Sequence, residues 1–556
     1  MSAPLFVKYR TSSGIPYVYD LGTGEIVRVG ETVYEILNDF RILSDSELVR
    51  LYSDLGSAAV REALAALYKV RERGILRDHD PVVPERADVI IRKGGASSLT
   101  DYLREARNCL ILCLTEQCNL RCDYCCFGEC YPRFRSHSPR QMSREVAERA
   151  ILELLSQPGI ESPGVALYGG EPLLNWELAK RVIVFSLEQA EARGKTATLS
   201  VTTNGTLLTD EKIRFLAGND VNVAISLDGP KDSHDRHRVF RDRTGSGRRV
   251  GSFDVVMRKL RRFIELYPDY RNRGIFMTLS PPYNMEECEA LLSELWPYFP
   301  ASRVGFVSEE YNSTWDANGP RLRQSGCAPP ASCSGGDATI CGTADAASEE
   351  TGQRRYIENR YIRGRVQLGA EIRSAFPFAN MVYREMMSAF HGRPITTDNV
   401  YPVFNYKCYP GAIRLYCDVD GRYYVCQRCE STEKTLLGEV WTGFDPRRSE
   451  LLLEELRHIA DCGNCIAQRH CSNCFVSFQQ KPGAGGVIGE GYDFRCRSIR
   501  RSTPETLRMY TEILEQNPNA FDEAERDDDL DGMRVLPGKF QPPGPPTELG
   551  VEELAW

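Results

Sequence analysis

The sequence predicts an α/β fold with a parallel central sheet, and three observations carry that expectation. From Asn108 onward, short β-rich runs alternate with helical segments, the pattern of parallel strands joined by crossover helices. Nearly every polar signature falls just after one of those runs, where parallel α/β folds and barrels place their ligand-binding loops. The 20 cysteines gather in groups, at 109–130, at Cys327, Cys333 and Cys341, and at 408–496, with Cys288 by itself.

At 556 residues the chain is too long for one core, and three or four domains are expected. Apolar residues make up 42% and charged residues 26%, an ordinary globular balance. Lys and Arg number 69 against 77 Asp and Glu, a net charge of -8, so no global basic field points to nucleic acid or an anionic membrane. No apolar run is long enough to span a bilayer. The start, "MSAPLFVKYRTSSG", lacks the pattern of a secretory signal, and a cytoplasmic location is expected. In a reducing compartment 20 cysteines argue for metal or redox chemistry over a disulfide framework.

Taken in order, residues 1–85 read as a small unit. "IPYVYDLGTGEIVRV" gives two alternating strands joined by a Gly-containing turn, and "TVYEILNDF", "DSELVRLYSDL" and "AAVREALAALYKVRERG" have helical periodicity. "RDHDPVVPERAD" is a linker. Six strands follow over 104–311, at "CLILCLT", "GVALYGG", "ATLSVTTN", "NVAISLDG", "GIFMTLS" and "RVGFVSE". Residues 312–355 are rich in Gly, Ala, Ser and Pro and read as a mobile insertion with free thiols. A helical bridge over 356–400 leads to a cysteine-rich domain at 401–505, and the acidic, proline-rich tail at 517–556 is expected to be disordered.

The stretch "LTEQCNLRCDYCCFG" follows the first of the six strands. Cys118, Cys122 and Cys125, separated by three and two residues, can converge on a cubane cluster and leave one iron for a small molecule, whereas four cysteines would close it. Cys126 would need a reversed side-chain direction to join them, and it and Cys130 stay outside. Three-ligand zinc sites usually include His, and this loop has none.

"CNLRCDYC" resembles the C-x3-C-x2-C signature of the radical S-adenosylmethionine superfamily. The resemblance implies a partial (β/α)6 TIM-like barrel as the core. It also implies that Gly169, Gly170 and Glu171 of "YGGEPLLN" accept from the ammonium of the methionine moiety, which offers donors only. "VTTNGTLLT" and "ISLDGPKDSHDRHR" are similar to the ribose and carboxylate contacts, carried over to Asn204, Ser226, Asp228 and Arg238, with Arg238 suited to a bidentate pair with the carboxylate. The implied chemistry is reductive cleavage of S-adenosylmethionine to a 5'-deoxyadenosyl radical that abstracts a hydrogen from substrate. A ferredoxin- or flavodoxin-type protein is the implied electron donor.

In the second cysteine region, "CYPGAIRLYCDVDGRYYVC" and "CGNCIAQRHCSNC" carry two CxxC pairs, a strong metal signal that by itself also fits a zinc ribbon. After such a core the arrangement resembles the SPASM extension, which implies two auxiliary 4Fe-4S clusters and three clusters in all. By resemblance, Cys408, Cys426 and Cys474 hold the first and Cys462, Cys465, Cys471 and Cys496 the second. Cys417 is either the fourth ligand of the first cluster or that cluster keeps an open iron; Cys429 is a further candidate. Only "SN" separates Cys471 from Cys474 where the extension commonly has three residues. Sulfatase-maturing members place a basic Asp after the residue matched by Cys426; here it is Gln427, whose amide cannot take a proton, which disfavours formylglycine formation.

The first unit, with "YVYDLGTGEIVRVGETVYEIL", resembles the PqqD-like element that holds a leader sequence as an added strand, while a winged-helix packing module fits the same residues. Together these resemblances imply an enzyme that modifies a ribosomally made precursor peptide with a leader, by a thioether crosslink from a cysteine or by a carbon-carbon or carbon-oxygen bond. From other classes, a non-catalytic iron-sulfur carrier leaves the GGE and Arg238 signatures without purpose, and a zinc-binding DNA regulator lacks a basic stripe.

Overall fold

The computed structural model describes residues 6–40, 42–77, 103, 107–128, 135–242, 244–306, 344–393, 410–457, 465–467, 469–471 and 491–521. The linker after residue 77, the insertion up to 343, the tail past 521, and Cys130, Cys327, Cys333, Cys341, Cys408, Cys462 and Cys474 lie outside them.

The first unit has three strands where the sequence shows two: β1 (Phe6–Arg10), β2 (Pro16–Asp20) and β3 (Ile26–Arg28) form an antiparallel sheet in that order. One face, with Val18 and Val27, packs on three helices, Glu31–Ile36, Asp45–Leu51 and Ser57–Glu72. Ser44 and Glu47 form a capping box that starts the second of these. Simple alternation expects the other face to meet water, yet β2 is buried along its whole length. Its aromatic face is covered by the Gly491–Gln516 helix: Tyr9 Oη bonds Thr511 Oγ1 at 2.6 Å and Tyr17 Oη donates to Glu515 Oε1 at 2.7 Å. Two buried guanidinium groups hold the β2–β3 turn, Arg393 donating to Gly24 O at 2.6 Å and Arg469 to Leu21 O at 2.6 Å.

The core sheet contains the six expected parallel strands, β4 (Cys109–Thr115), then, past a short β5 (Leu120–Cys122), β6 (Gly164–Gly169), β7 (Thr198–Thr203) and β8 (Asn222–Ser226), and, past a short β9 (Arg238–Phe240), β10 (Arg273–Leu279) and β11 (Arg303–Phe306). Polar caps start the crossover helices: Ser143 accepts from Val146 N and Thr209 from Lys212 N. One strand face, with Val165, Leu167, Val201, Val223, Ile225 and Ile275, is fully buried under those helices. The opposite face, with Tyr168, Thr202, Ser226 and Thr278, is half-buried and lines the interior of an open barrel.

The sheet does not stop at the barrel. β12 (Arg414–Cys417) pairs in parallel with the outer edge of β4, and β13 (Arg422–Tyr424), β14 (Leu436–Glu439) and β15 (Gly443–Phe444) extend it as an antiparallel meander, giving ten strands in the order β11-β10-β8-β7-β6-β4-β12-β13-β14-β15. Two segments are more ordered than composition suggests. The Ala344–Leu368 helix begins inside the stretch expected to be a mobile insertion, where Ala and Glu replace Gly and Pro. Ala520 and Phe521, within the expected disordered tail, are buried, with Phe521 stacked on His391. Among the described residues no helix is long and apolar enough to cross a membrane.

Candidate active site

The site is assembled where the parallel strands end. The loop after β4 is pinned by β5, which pairs antiparallel with β9 so that Cys122 lies opposite Arg238. That pairing brings Arg238 Nη1 to 4.0 Å from Cys122 Sγ. Backbone N–H groups point at the other two thiols, Leu120 N at 3.4 Å from Cys118 Sγ and Phe127 N at 3.4 Å from Cys125 Sγ. Burial pushes the Cys118 thiol up to about 12 and Cys122 up to about 11, so both are protonated unless a cation holds them as thiolates.

These residues fit an iron-sulfur cluster on their donor chemistry. The three thiols are within electrostatic reach of one another, yet among the described residues no three Cys, His, Asp or Glu side chains close on a single ion. Three thiols in a loop without histidine suit an iron-sulfur cluster better than a single zinc. Cys126 Sγ meets the Cys125 thiol and also lies 3.8 Å from Gln427 O, a carbonyl that accepts from Arg135 Nη1 at 2.7 Å.

β6 meets this loop at Gly169 and Gly170. Gly170 N donates to Thr115 O at 2.8 Å and Glu171 N to Gln117 O at 2.7 Å. A Cβ at Gly170 would fall on the Gln117 carbonyl, and Gly169 has φ +133, so neither position admits a side chain without moving the cysteine loop. Glu171 is fully buried. Burial raises its carboxyl, opposed by bonds from Asn204 N at 2.7 Å, Thr203 Oγ1 at 2.8 Å and Leu173 N at 3.0 Å. It thereby fixes the turn carrying Asn204, whose Nδ2 donates to Asn119 Oδ1 at 2.9 Å and lies 3.8 Å from Cys118 Sγ.

Ser226 ends β8 on the barrel-facing side. Asp228 joins three elements: it accepts from Arg238 Nε at 2.7 Å, from Thr278 N at 2.9 Å and from the Tyr124 hydroxyl. Arg238 therefore spends its Nε on Asp228 and turns Nη1 to the Cys122 thiol. Sequence reasoning missed Tyr124, Thr203, Thr278 and His234, whose Nδ1 accepts from Asp228 N at 3.2 Å. Tyr124, Thr203 and His234 sit inside the quoted motifs without being their signature residues, and the four become neighbours only in the folded barrel.

In the second region, Cys426 accepts from Arg428 N at 3.4 Å and Cys429 N donates to Cys426 O at 3.2 Å, a tight turn, and Arg135 is within electrostatic reach of both Cys429 and Cys126. Cys417 is fully buried on β12, where burial raises its thiol and Sγ donates to Asp418 O at 3.6 Å. Cys465, Cys471 and Cys496 are partly exposed.

Residues 112–295 match the family model described as the Radical SAM superfamily, so the chain carries a radical SAM domain, and that span holds the three-thiol loop and each strand end just described. The serine-type anaerobic sulfatase-maturating enzyme of Bacteroides thetaiotaomicron is 35% identical over 121 residues, 22% of this chain and 29% of that protein. GTP 3',8-cyclase 1 of Mycobacterium tuberculosis is 35% identical over 129 residues, 23% of this chain and 34% of that protein. The chain thus spans about a third of the length of the curated relatives it matches. A solved structure described as native anSMEcpe with bound AdoMet aligns with 72% of this chain and 99% of its own at 16% identity, with a TM-score of 0.48.

Proposed function

We propose that this protein is a radical S-adenosylmethionine enzyme that modifies a ribosomally made precursor peptide, joining a cysteine of that peptide to another residue as a thioether. The observation that carries the reading is the meeting of Cys118, Cys122 and Cys125 with Gly169–Glu171, Asn204 and Arg238 across the ends of four strands. An iron-sulfur electron carrier has no use for the last three. Bound S-adenosylmethionine and a 4Fe-4S cluster would supply a 5'-deoxyadenosyl radical for hydrogen abstraction.

The chain's own residues prepare that site. Cys118, Cys122 and Cys125 would hold the cluster, the backbone carbonyls of Gly169 and Gly170 would accept from an ammonium, and the Arg238 guanidinium, beside Cys122, suits a carboxylate. Glu171 keeps Asn204 against the cysteine loop. Cys408, Cys426, Cys474 and either Cys417 or no fourth residue would hold one auxiliary cluster, and Cys462, Cys465, Cys471 and Cys496 the other. The full burial of Cys417 favours the open iron. A leader would add to the β1–β3 sheet, and a ferredoxin or flavodoxin would deliver electrons in the cytoplasm.

Anaerobic reconstitution tests this. Iron and sulfide near three clusters are expected, with 5'-deoxyadenosine released on reduction, and coexpression with the short cysteine-containing peptide encoded beside the gene should remove two hydrogen atoms from it. Zinc without iron would sink the reading. Replacing Cys118, Cys122 and Cys125 with Ala should abolish 5'-deoxyadenosine while auxiliary iron remains.

A further inference from the structure

Ser280, His237 and Asp123 form a chain of hydrogen bonds at the barrel rim that the assignments above leave unused. Ser280 directly follows β10, and on the two-residue period of a strand it shares the half-buried inner face with Phe276 and Thr278. Its Oγ is 2.7 Å from His237 Nε2, and His237 Nδ1 is 3.2 Å from Asp123 Oδ2. An ionised carboxylate only accepts, so Nδ1 carries the ring proton and Nε2 turns its lone pair to the Ser280 hydroxyl. Arg249 Nη2 steadies Asp123 at 3.1 Å, and the Tyr124 ring meets the imidazole edge-on at 5.7 Å. The charged or titratable groups around this chain are thus Asp123 and Tyr124 from the cysteine loop, Arg249 from the segment before the Phe253–Leu266 helix, and Arg236 and Arg238 on either side of His237 in sequence.

We propose that His237 is the proton acceptor of this site, drawing a proton from a cysteine thiol of the peptide through Ser280 Oγ to Nε2. The proposal rests on the peptide-modifying reading. The step is a proton transfer alone. The S–H bond breaks with its electron pair left on sulfur, that proton passes to Ser280 Oγ as the serine's own proton moves to Nε2, and Asp123 balances the imidazolium. Bonding carbon to sulfur requires the thiol proton to leave, and Gln427 is an amide that cannot take it. A neutral imidazole held by a carboxylate at one nitrogen offers its other nitrogen as the acceptor such a transfer needs.

The test uses the reconstituted full chain and the short cysteine-containing peptide encoded beside the gene, and reads the ratio of modified peptide to 5'-deoxyadenosine. His237→Gln should lower that ratio about 100-fold, and Ser280→Ala about 10-fold. A ratio unmoved by His237→Gln, or iron lost in step with product, would overturn the proposal, because a clamp on the cysteine loop lowers both products together. No 5'-deoxyadenosine from the unaltered protein defeats the functional reading instead. Where the peptide is not turned over, carbethoxylation by diethyl pyrocarbonate mapped by mass spectrometry decides. His237 should react faster in Ser280→Ala, where Nε2 loses its serine partner; a His237 that stays unreactive there refutes the proposal.

Discussion

The barrel sheet and the β1–β3 sheet share a half-polar strand face and put it to opposite uses. In the barrel, the face with Thr202, Ser226 and Thr278 stays half open, and the loops above it bring Glu171, Asp228 and Arg238. In the first sheet, the face with Tyr9 and Tyr17 is closed by the Gly491–Gln516 helix, whose Thr511 and Glu515 meet the two hydroxyls. Alternation shows which residues share a face. Whether that face becomes a cleft or an interface depends on which distant segment brings matching groups to it.

The sharpest way to break the contrast is Gly170→Ala. A side chain there displaces the Gln117 backbone, so a loss of about 4 kcal/mol in stability is expected, together with the iron that the proposed cluster at Cys118, Cys122 and Cys125 would bind, read by thermal unfolding and iron analysis. Full iron with an unshifted melting curve would show that the loop does not lean on β6.

His234 gives the next effect, through pH. Burial lowers its pKa to about 4, with Asp228 and Arg238 acting in opposite directions, against about 6.5 when unfolded. Between those values the unfolded chain binds a proton that the folded chain refuses. Stability therefore falls as pH drops from about 6.5 to about 4, by about 3 kcal/mol in all, and is unaffected above that window. Denaturant titrations of the protein and of His234→Gln at pH 7.5 and pH 4.5 check it: the gap between the two should shrink or reverse at the lower pH.

On the other sheet, Arg393→Ala leaves Gly24 O without its buried donor. About 2 kcal/mol is expected, confined to β1–β3 and visible as faster hydrogen exchange there with the barrel strands unchanged. The smallest effect is Tyr9→Phe, about 1 kcal/mol for one hydrogen bond to Thr511, with iron content unaltered. Equal loosening of barrel and first sheet in either variant would mean that the two do not open separately.

The six barrel strands were legible because each is a short apolar run ended by a polar signature, and the two share one cause: a parallel sheet buries its strands and puts its chemistry at their ends. β5 and β9 were not, since three residues each carry no period, and they exist because Cys122 and Arg238 are brought together. β12 escaped notice for a similar reason: "RLYC" becomes a strand by lying against β4. In the site, "CNLRCDYC" and "GGE" are contiguous and could be recognised, whereas the pairing of Asp123 with His237, at a helix end, and Ser280, after β10, joins three distant segments through common residues. Burial of β2 on both faces was hidden because its covering helix lies at the far end of the chain.

The seating of β12 on β4 has a consequence for how the molecule is made. During synthesis β4 emerges early, with β6 on one side and nothing on the other until residues 414–417 leave the ribosome. The first sheet waits longer still, for Thr511 and Glu515. A nascent chain therefore carries an unpaired apolar strand edge beside its cysteine loop through most of translation, the kind of surface that chaperones protect. On the proposed function, iron delivered before that edge is covered would meet a loop whose supporting sheet is incomplete, and cluster loading late in the life of the new chain is expected.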